Sequence, residues 1–407
     1  LMAADAGEWG RILAASQPRD IKSGVDSSYF LVNGAIEDAA RRVPKPDFIL
    51  CPGDFLCHWW QESFDKLAPG VRASDPDKFK AFTIKAVSFL AGEFRRRFPG
   101  VPVLPALGNE DAFCEDYELA PDSEFLRDFG TVWSPLLQLP EDQQRAFQEA
   151  FATGGYYTIP VPKLPGHRLI VLNSVFFSME YADDCENPHR EPAGDQLTWL
   201  AQQLAAAREQ KQTVWMLMHI PPGIDAFDSA RAMAKGKPPV TFWHDADTER
   251  FLALADRYAD GIQVAIAGHT HMDDFRVPFV DGSPTAAFKL VPAISPLFGN
   301  NPAYQAFEYS RKTGAVLNYQ TYYLAVPSDR SPPAAGPPVK REWQFEYDFR
   351  KTYGLDGINR GSLVQLMKNV EAVPQAARSY RTYFMSSSVP GMPKDHLPVH
   401  RASMAWP

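Results

Sequence analysis

The chain has 407 residues, 45% of them hydrophobic and 22% charged, with a formal net charge of -8. That length supports one large or two ordinary domains. The acidic balance argues against a nucleic-acid partner, because nothing here would release counterions from a phosphate backbone. No apolar run approaches the roughly 20 residues of a membrane span, the best being pieces such as "VWMLMHI".

The chain opens at "LMAADAGEWGRIL", without an initiator Met or the regions of a signal peptide, so an upstream segment is expected to have been removed. After a helical start, "PDFILCPGDF" predicts a buried strand, Phe48 to Cys51, which Pro52 and Gly53 end and which delivers Asp54. Asp75 as N-cap and Pro76 at the first helical position predict a helix, with Phe79, Phe82, Val87 and Phe94 at helical spacing, up to Pro99. "VPVLPALGNED" reads as a second strand and delivers Asn109.

Past Gly154 and Gly155, "GYYTIP" and "HRLIVLNS" form a hairpin-like pair, and "DQLTWLAQQLAAAREQ" is an amphipathic helix. It leads into "TVWMLMHIPPG", a strand ending on His219. Another helix through "ADTERFLALADRYA" leads to "GIQVAIAGHTH", which carries His269 and His271. Strand, site residue, helix, strand: this order predicts an α/β sheet with the chemistry where strands end. "AAFKLVPAIS", "AYQAFEYS" and "AVLNYQTYYLAV" are expected strands, and residues 327–342 a stiff Pro-rich linker. The organisation is then a catalytic domain over 1–326, the linker, and a C-terminal helical subdomain over 343–407, packed on the main domain because its aromatics are too few for a core of their own.

Asp54, Asn109, His219, His269 and His271 bring a carboxylate, an amide oxygen and imidazoles, a donor set for zinc, iron or manganese. Each alone has a bland reading: a turn Asp, a loop Asn, a His that follows a strand. Five in register along one α/β chain are much harder to assign to chance.

"GDFLCH", "GNED", "HIPPG" and "GHTH", in this order, resemble the successive motifs of calcineurin-like metallophosphoesterases. "PGDFLCHWW", "LTWLAQQL", "PAISPLFGNNPAY" and "WQFEYDFRKTYG" extend the resemblance over nearly the whole chain, towards the acid sphingomyelinase-like branch. The resemblance implies a metallophosphoesterase-type β-sandwich flanked by helices, with the small C-terminal subdomain. It also implies hydrolysis of phosphate esters, diesters above all, by a metal-activated water, two divalent metal ions with zinc ahead of iron or manganese, and a secreted or periplasmic location. Asp54 would bridge the two metals, His271 would serve the first, and Asn109, His219 and His269 would complete the second.

Two departures bear on this. No D-x-H motif precedes Asp54, since none of Asp5, Glu8, Asp20 and Asp26 has a His two residues later. The expectation is a chain that lacks the strand carrying that motif; the alternative is a single metal. Glu110 stands where the family has a phosphate-contacting His, which moves leaving-group protonation to His58.

Trp59 and Trp60 are expected at the substrate rim, beside the acids Glu110, Asp111, Glu115, Asp116 and Glu118. That run is either a solvated face or a preference for a cationic leaving group such as choline. Cys57 and Cys114 form a disulfide or are two free thiols. His167, His189, His396 and His400 read as solvated, and His244 as a helix-entry residue. The expected substrate is a small-molecule or lipid-head-group phosphate ester, with no nucleic acid and no transmembrane segment, and the oligomeric state is open. The alternatives are a phosphomonoesterase or nucleotidase on the same site, and a non-catalytic binding protein with a decayed centre.

Overall fold

Alternation along the central strands sends neighbouring side chains into two different cores, and this builds the layers. The computed structural model describes residues 1–16, 21–182, 191–326, 342–389 and 391–405. Its strands are β1 (Ile49–Cys51), β2 (Val103–Pro105), β3 (Tyr157–Pro160), β4 (His167–Val171), β5 (Thr213–Leu217), β6 (Ile262–Ala267), β7 (Asp274–Arg276), β8 (Phe279–Val280), β9 (Ser283–Pro284), β10 (Phe288–Leu290), β11 (Ala303–Tyr309), β12 (Val316–Tyr323) and β13 (Gln344–Asp348). The main sheet runs β3-β4-β5-β6-β10-β7. Its inner strands are parallel, and both edge strands are antiparallel.

From β5, Val214 and Met216 pack against Leu197, Leu200 and Leu204 of the helix Pro192–Glu209 and Phe251 and Leu252 of the helix Asp245–Arg257. Trp215 and Leu217 point the other way, into a core shared with Leu104 of the parallel β1-β2 pair and Tyr319 of the antiparallel β11-β12-β13 sheet. Period-2 alternation therefore gives a β-sandwich with helices outside. Full burial of such side chains contributes roughly 1.5–3 kcal/mol each. Phe48, Trp215 and Tyr309 form a ring contact of 5.5–5.8 Å that ties the layers together.

The helix Pro76–Arg97 starts as its sequence predicts, with Asp75 accepting the Lys78 N–H at 3.3 Å. The C-terminal helices Arg360–Ala372 and Pro374–Phe384 fall in the two stretches read as helical, and their Leu363, Leu366, Val370 and Tyr380 join the core of β2 and β12. Before them β13 pairs with β12, a strand the sequence reading did not assign. The expected linker lies outside the described residues except for Glu342. Two histidines read as solvated are buried instead: His167 begins β4, and His400 packs on Phe384 at 4.5 Å. His189 lies outside the described residues. Among the described residues no helix is long and apolar enough to cross a membrane.

Candidate metal centre

Asp54 follows β1, Asn109 follows β2, His219 follows β5, and His269 and His271 follow β6, so the strand ends bring the five predicted residues to one edge of the sandwich. The loops after β1 and β2 cross at two glycines. A Cβ on Gly53 would meet the Gly108 backbone, and one on Gly108 would meet the Asp54 carboxylate. Asp54, His269 and His271 all have left-handed φ, at 58°, 67° and 62°. Each costs of order 1–3 kcal/mol and persists only where its surroundings enforce it. At Asp54 the enforcement is Asp111, whose carboxylate accepts the N–H groups of Asp54, Phe55, Leu56 and Gly108 at 2.7–3.1 Å.

His219 Nδ1 donates to the Pro52 carbonyl at 2.8 Å, which turns Nε2 towards Asp54 Oδ2 at 2.9 Å and Asn109 Oδ1 at 3.1 Å. Asn109 Nδ2 donates to Asp116 at 2.8 Å, fixing its amide so that Oδ1 also meets His269 Nδ1 at 3.0 Å. Burial opposes ionisation of Asp54, but His219, His269 and the Glu110 N–H hold its carboxyl well below the usual range. Burial pushes His269 down to about 3 and His271 down to about 4, so both rings stay neutral with a free lone pair.

These residues fit a divalent metal. With Nδ1 of His219 donating to Pro52, its Nε2 faces two oxygens that favour positive charge there: burial opposes the charged ring, but Asp54 raises its pKa, and a divalent cation between them would meet the same demand. His271 Nδ1 is buried with no hydrogen-bond partner. Counted by His, Cys, Asp and Glu alone, no three described residues form a group that could hold an ion; the Asn109 oxygen is the hub that joins Asp54, His219 and His269. His271 stands apart from that hub, with its ring 5.7 Å from His58.

His58 lies between two acids. Its Nδ1 is 3.2 Å from Asp26 and its Nε2 is 3.6 Å from Glu110. Burial would lower its pKa, but the Asp26 hydrogen bond and the charges of Glu110, Asp26 and Asp54 outweigh that and raise it to about 9. Glu110 is raised to about 8 by burial and by Asp116. Asp26 carries no motif in the sequence, since Ser27 and Ser28 follow it and no His stands two residues later. Its contact spans 32 positions, and no local spacing signals it.

The two expected rim indoles part company. Trp59 is 60% exposed beside His58. Trp60 is a correction: its Nε1 donates to Thr83 and its ring stacks on Phe82 at 5.5 Å, because the helix Trp60–Leu67 turns that face onto the helix Pro76–Arg97. The acidic run is not one solvated face either. Glu110 and Asp111 are buried, Asp116 holds Asn109, and Glu115 pairs with Arg72. Cys57 is a free thiol while Cys114 is disulfide-bonded, so these two do not pair with each other. His244 sits at the N-cap of the helix Asp245–Arg257, as expected.

A carboxylate, an amide oxygen and imidazoles at the strand ends of an α/β sandwich define a metal-dependent hydrolase site. The model of the calcineurin-like phosphoesterases, a metallophosphoesterase family, matches residues 26–273, and the chain belongs to this family. Divalent metal ions are the cofactors of such a site. The chain is 26% identical over 362 residues to Sphingomyelinase phosphodiesterase C of Dictyostelium discoideum, covering 85% of this chain and 72% of that one. It is 26% identical to Acid sphingomyelinase-like phosphodiesterase 3b of Homo sapiens, covering 93% and 75%. It is 24% identical to Cyclic GMP-AMP phosphodiesterase SMPDL3A of Bos taurus, covering 94% and 76%.

Proposed function

We propose that this chain hydrolyses phosphodiesters, with Asp54, Asn109, His219 and His269 holding one divalent metal ion, zinc ahead of iron or manganese, and Asp54 with His271 contributing to a second. The observation that carries the reading is the convergence of His219 Nε2 and His269 Nδ1 on Asn109 Oδ1 beside the Asp54 carboxylate. The bound metal would supply Lewis-acid activation of water and neutralise phosphoryl charge.

The chain's own residues do the rest. Asp54 and Asn109 keep the centre on two crossed loops, and Asp26 orients His58 through Nδ1. His58 Nε2 then faces the site to protonate the leaving oxygen. Glu110 steadies the same ring from the other side at 3.6 Å. The names of the relatives support a diester over a monoester, and the substrate is a small-molecule or lipid-head-group phosphodiester. The disulfide at Cys114 supports an exported protein, because cytosolic thiols are kept reduced.

Chelator-stripped protein should lose hydrolysis of bis(p-nitrophenyl) phosphate and regain it with added zinc or manganese. Undiminished hydrolysis after stripping would sink the reading.

A further inference from the structure

Two large rings stand in solvent beside His58. Trp59 is 60% exposed with its centroid 5.7 Å from the imidazole, and Phe298 is 52% exposed with its centroid 5.8 Å away, edge-on at 86°. Phe298 also lies 4.7 Å from the His271 ring. Neither ring is serving the core. The chain nevertheless fixes both in place. Trp59 takes a left-handed φ of 55° at the start of the helix Trp60–Leu67. The Phe298 loop is pinned by Ser295 Oγ to Asp26 at 3.0 Å, Asn300 Nδ2 to the Ser295 carbonyl at 3.0 Å and Ser388 Oγ to the Gly299 carbonyl at 2.6 Å. The Gly24 N–H adds a bond to the Pro296 carbonyl at 3.0 Å, so the loop is tied to the segment that carries Asp26.

Solvent-facing aromatic rings held at a reaction site by strain and by four hydrogen bonds point to a ligand that covers them. We propose that Trp59 and Phe298 form the leaving-group subsite and select phosphodiesters whose leaving alcohol carries a planar aromatic ring. The proposal rests on the phosphodiesterase reading with His58 as proton donor. Water attacks phosphorus, the bond from phosphorus to the leaving oxygen breaks, and that oxygen takes its proton from His58 Nε2, giving a phosphomonoester and the free alcohol. The proton lost by the water restores His58. A leaving oxygen within hydrogen-bond reach of Nε2 puts its substituent beside the two rings, where stacked or edge-to-face aromatic contact favours a planar group over a saturated one.

Two methyl phosphodiesters test this, one with a phenol and one with a fluorinated aliphatic alcohol of matched acidity as leaving group. They are compared on the metal-loaded full chain and on Phe298→Ala, Trp59→Ala and the double variant, with Phe298→Leu and Trp59→Leu as replacements if an alanine variant fails to fold. Wild type should favour the aryl ester by roughly tenfold in kcat/KM, and the double variant should lose that preference. Binding of phenyl and cyclohexyl methylphosphonate monoesters is measured in parallel by calorimetry. An aryl preference near one in wild type, or one unmoved in the double variant, overturns the subsite. If wild type cleaves neither ester, the phosphodiesterase reading fails, and the phosphonate preference decides the subsite alone: retained by wild type and lost in the variants, it stands; absent from wild type, it falls.

Discussion

The carboxylate of Asp111 accepts the backbone N–H of Asp54 at 2.9 Å through the same oxygen that takes the N–H of Gly108 at 2.8 Å, so one buried acid clamps together the two loops of the candidate centre. Asp111→Asn puts an amide N–H₂ where an acceptor is required and strands buried backbone donors. The expected outcome is a loss of about 2–4 kcal/mol in denaturant unfolding and roughly 10–100-fold weaker metal binding. Wild-type stability and metal affinity in the Asp111→Asn variant would remove this clamp from the account.

Asp26 Oδ1 meets His58 Nδ1 at 3.2 Å, and in the proposed reaction it orients that ring as proton donor. Asp26→Asn should lower kcat by about tenfold or more for esters of weakly acidic alcohols, and far less for p-nitrophenyl esters, whose leaving group needs no proton. Equal losses on both substrate types would mean that Asp26 is structural and that His58 takes no orientation from it.

Lys289 is 1% exposed on β10 and pairs with Asp273, which also accepts from Gln305, Thr321 and Tyr347. Strands β10 to β13 thus converge on a residue two positions beyond His271. Lys289→Met leaves Asp273 as a buried charge without its cation, at a cost of about 3–5 kcal/mol. Thermal unfolding measures it, and a change below about 1 kcal/mol would show the pair to be dispensable.

His400 carries a pH dependence. Burial, with His396 and Arg276 nearby, pushes its pKa down to about 3, against about 6.5 in an unfolded chain. The unfolded state therefore binds a proton that the native state refuses. Stability is complete above about pH 6.5 and falls as the pH drops towards 3, by about 2 kcal/mol at pH 5. His400→Leu should narrow the gap between Tm at pH 7 and at pH 5, and an unchanged gap would contradict this.

The strand-end residues were legible because a buried apolar run followed by Gly or Pro marks both the strand and the point where it delivers a polar side chain. Alternation does not reveal contacts made across the chain. Asp26 reaches His58 over 32 positions, Phe298 belongs to a loop without periodicity, and Asp273 gathers partners from four strands. Trp60 and His400 were misread for a related reason. Trp60 follows an exposed Trp and His400 lies in a Pro-containing stretch beside Arg401, but the face that each turns inward depends on helix packing. The strand β13 was missed because "QFEYD" is half polar and finds its place only beside β12.

The most direct test is metal content per chain, by elemental mass spectrometry on protein purified without chelator, for wild type, Asn109→Ala and His219→Ala, each assayed on a phosphodiester. The account predicts at least one divalent transition metal per wild-type chain, lost together with hydrolysis in both variants. Hydrolysis by a metal-free wild-type chain, or undiminished metal and turnover in either variant, would contradict it.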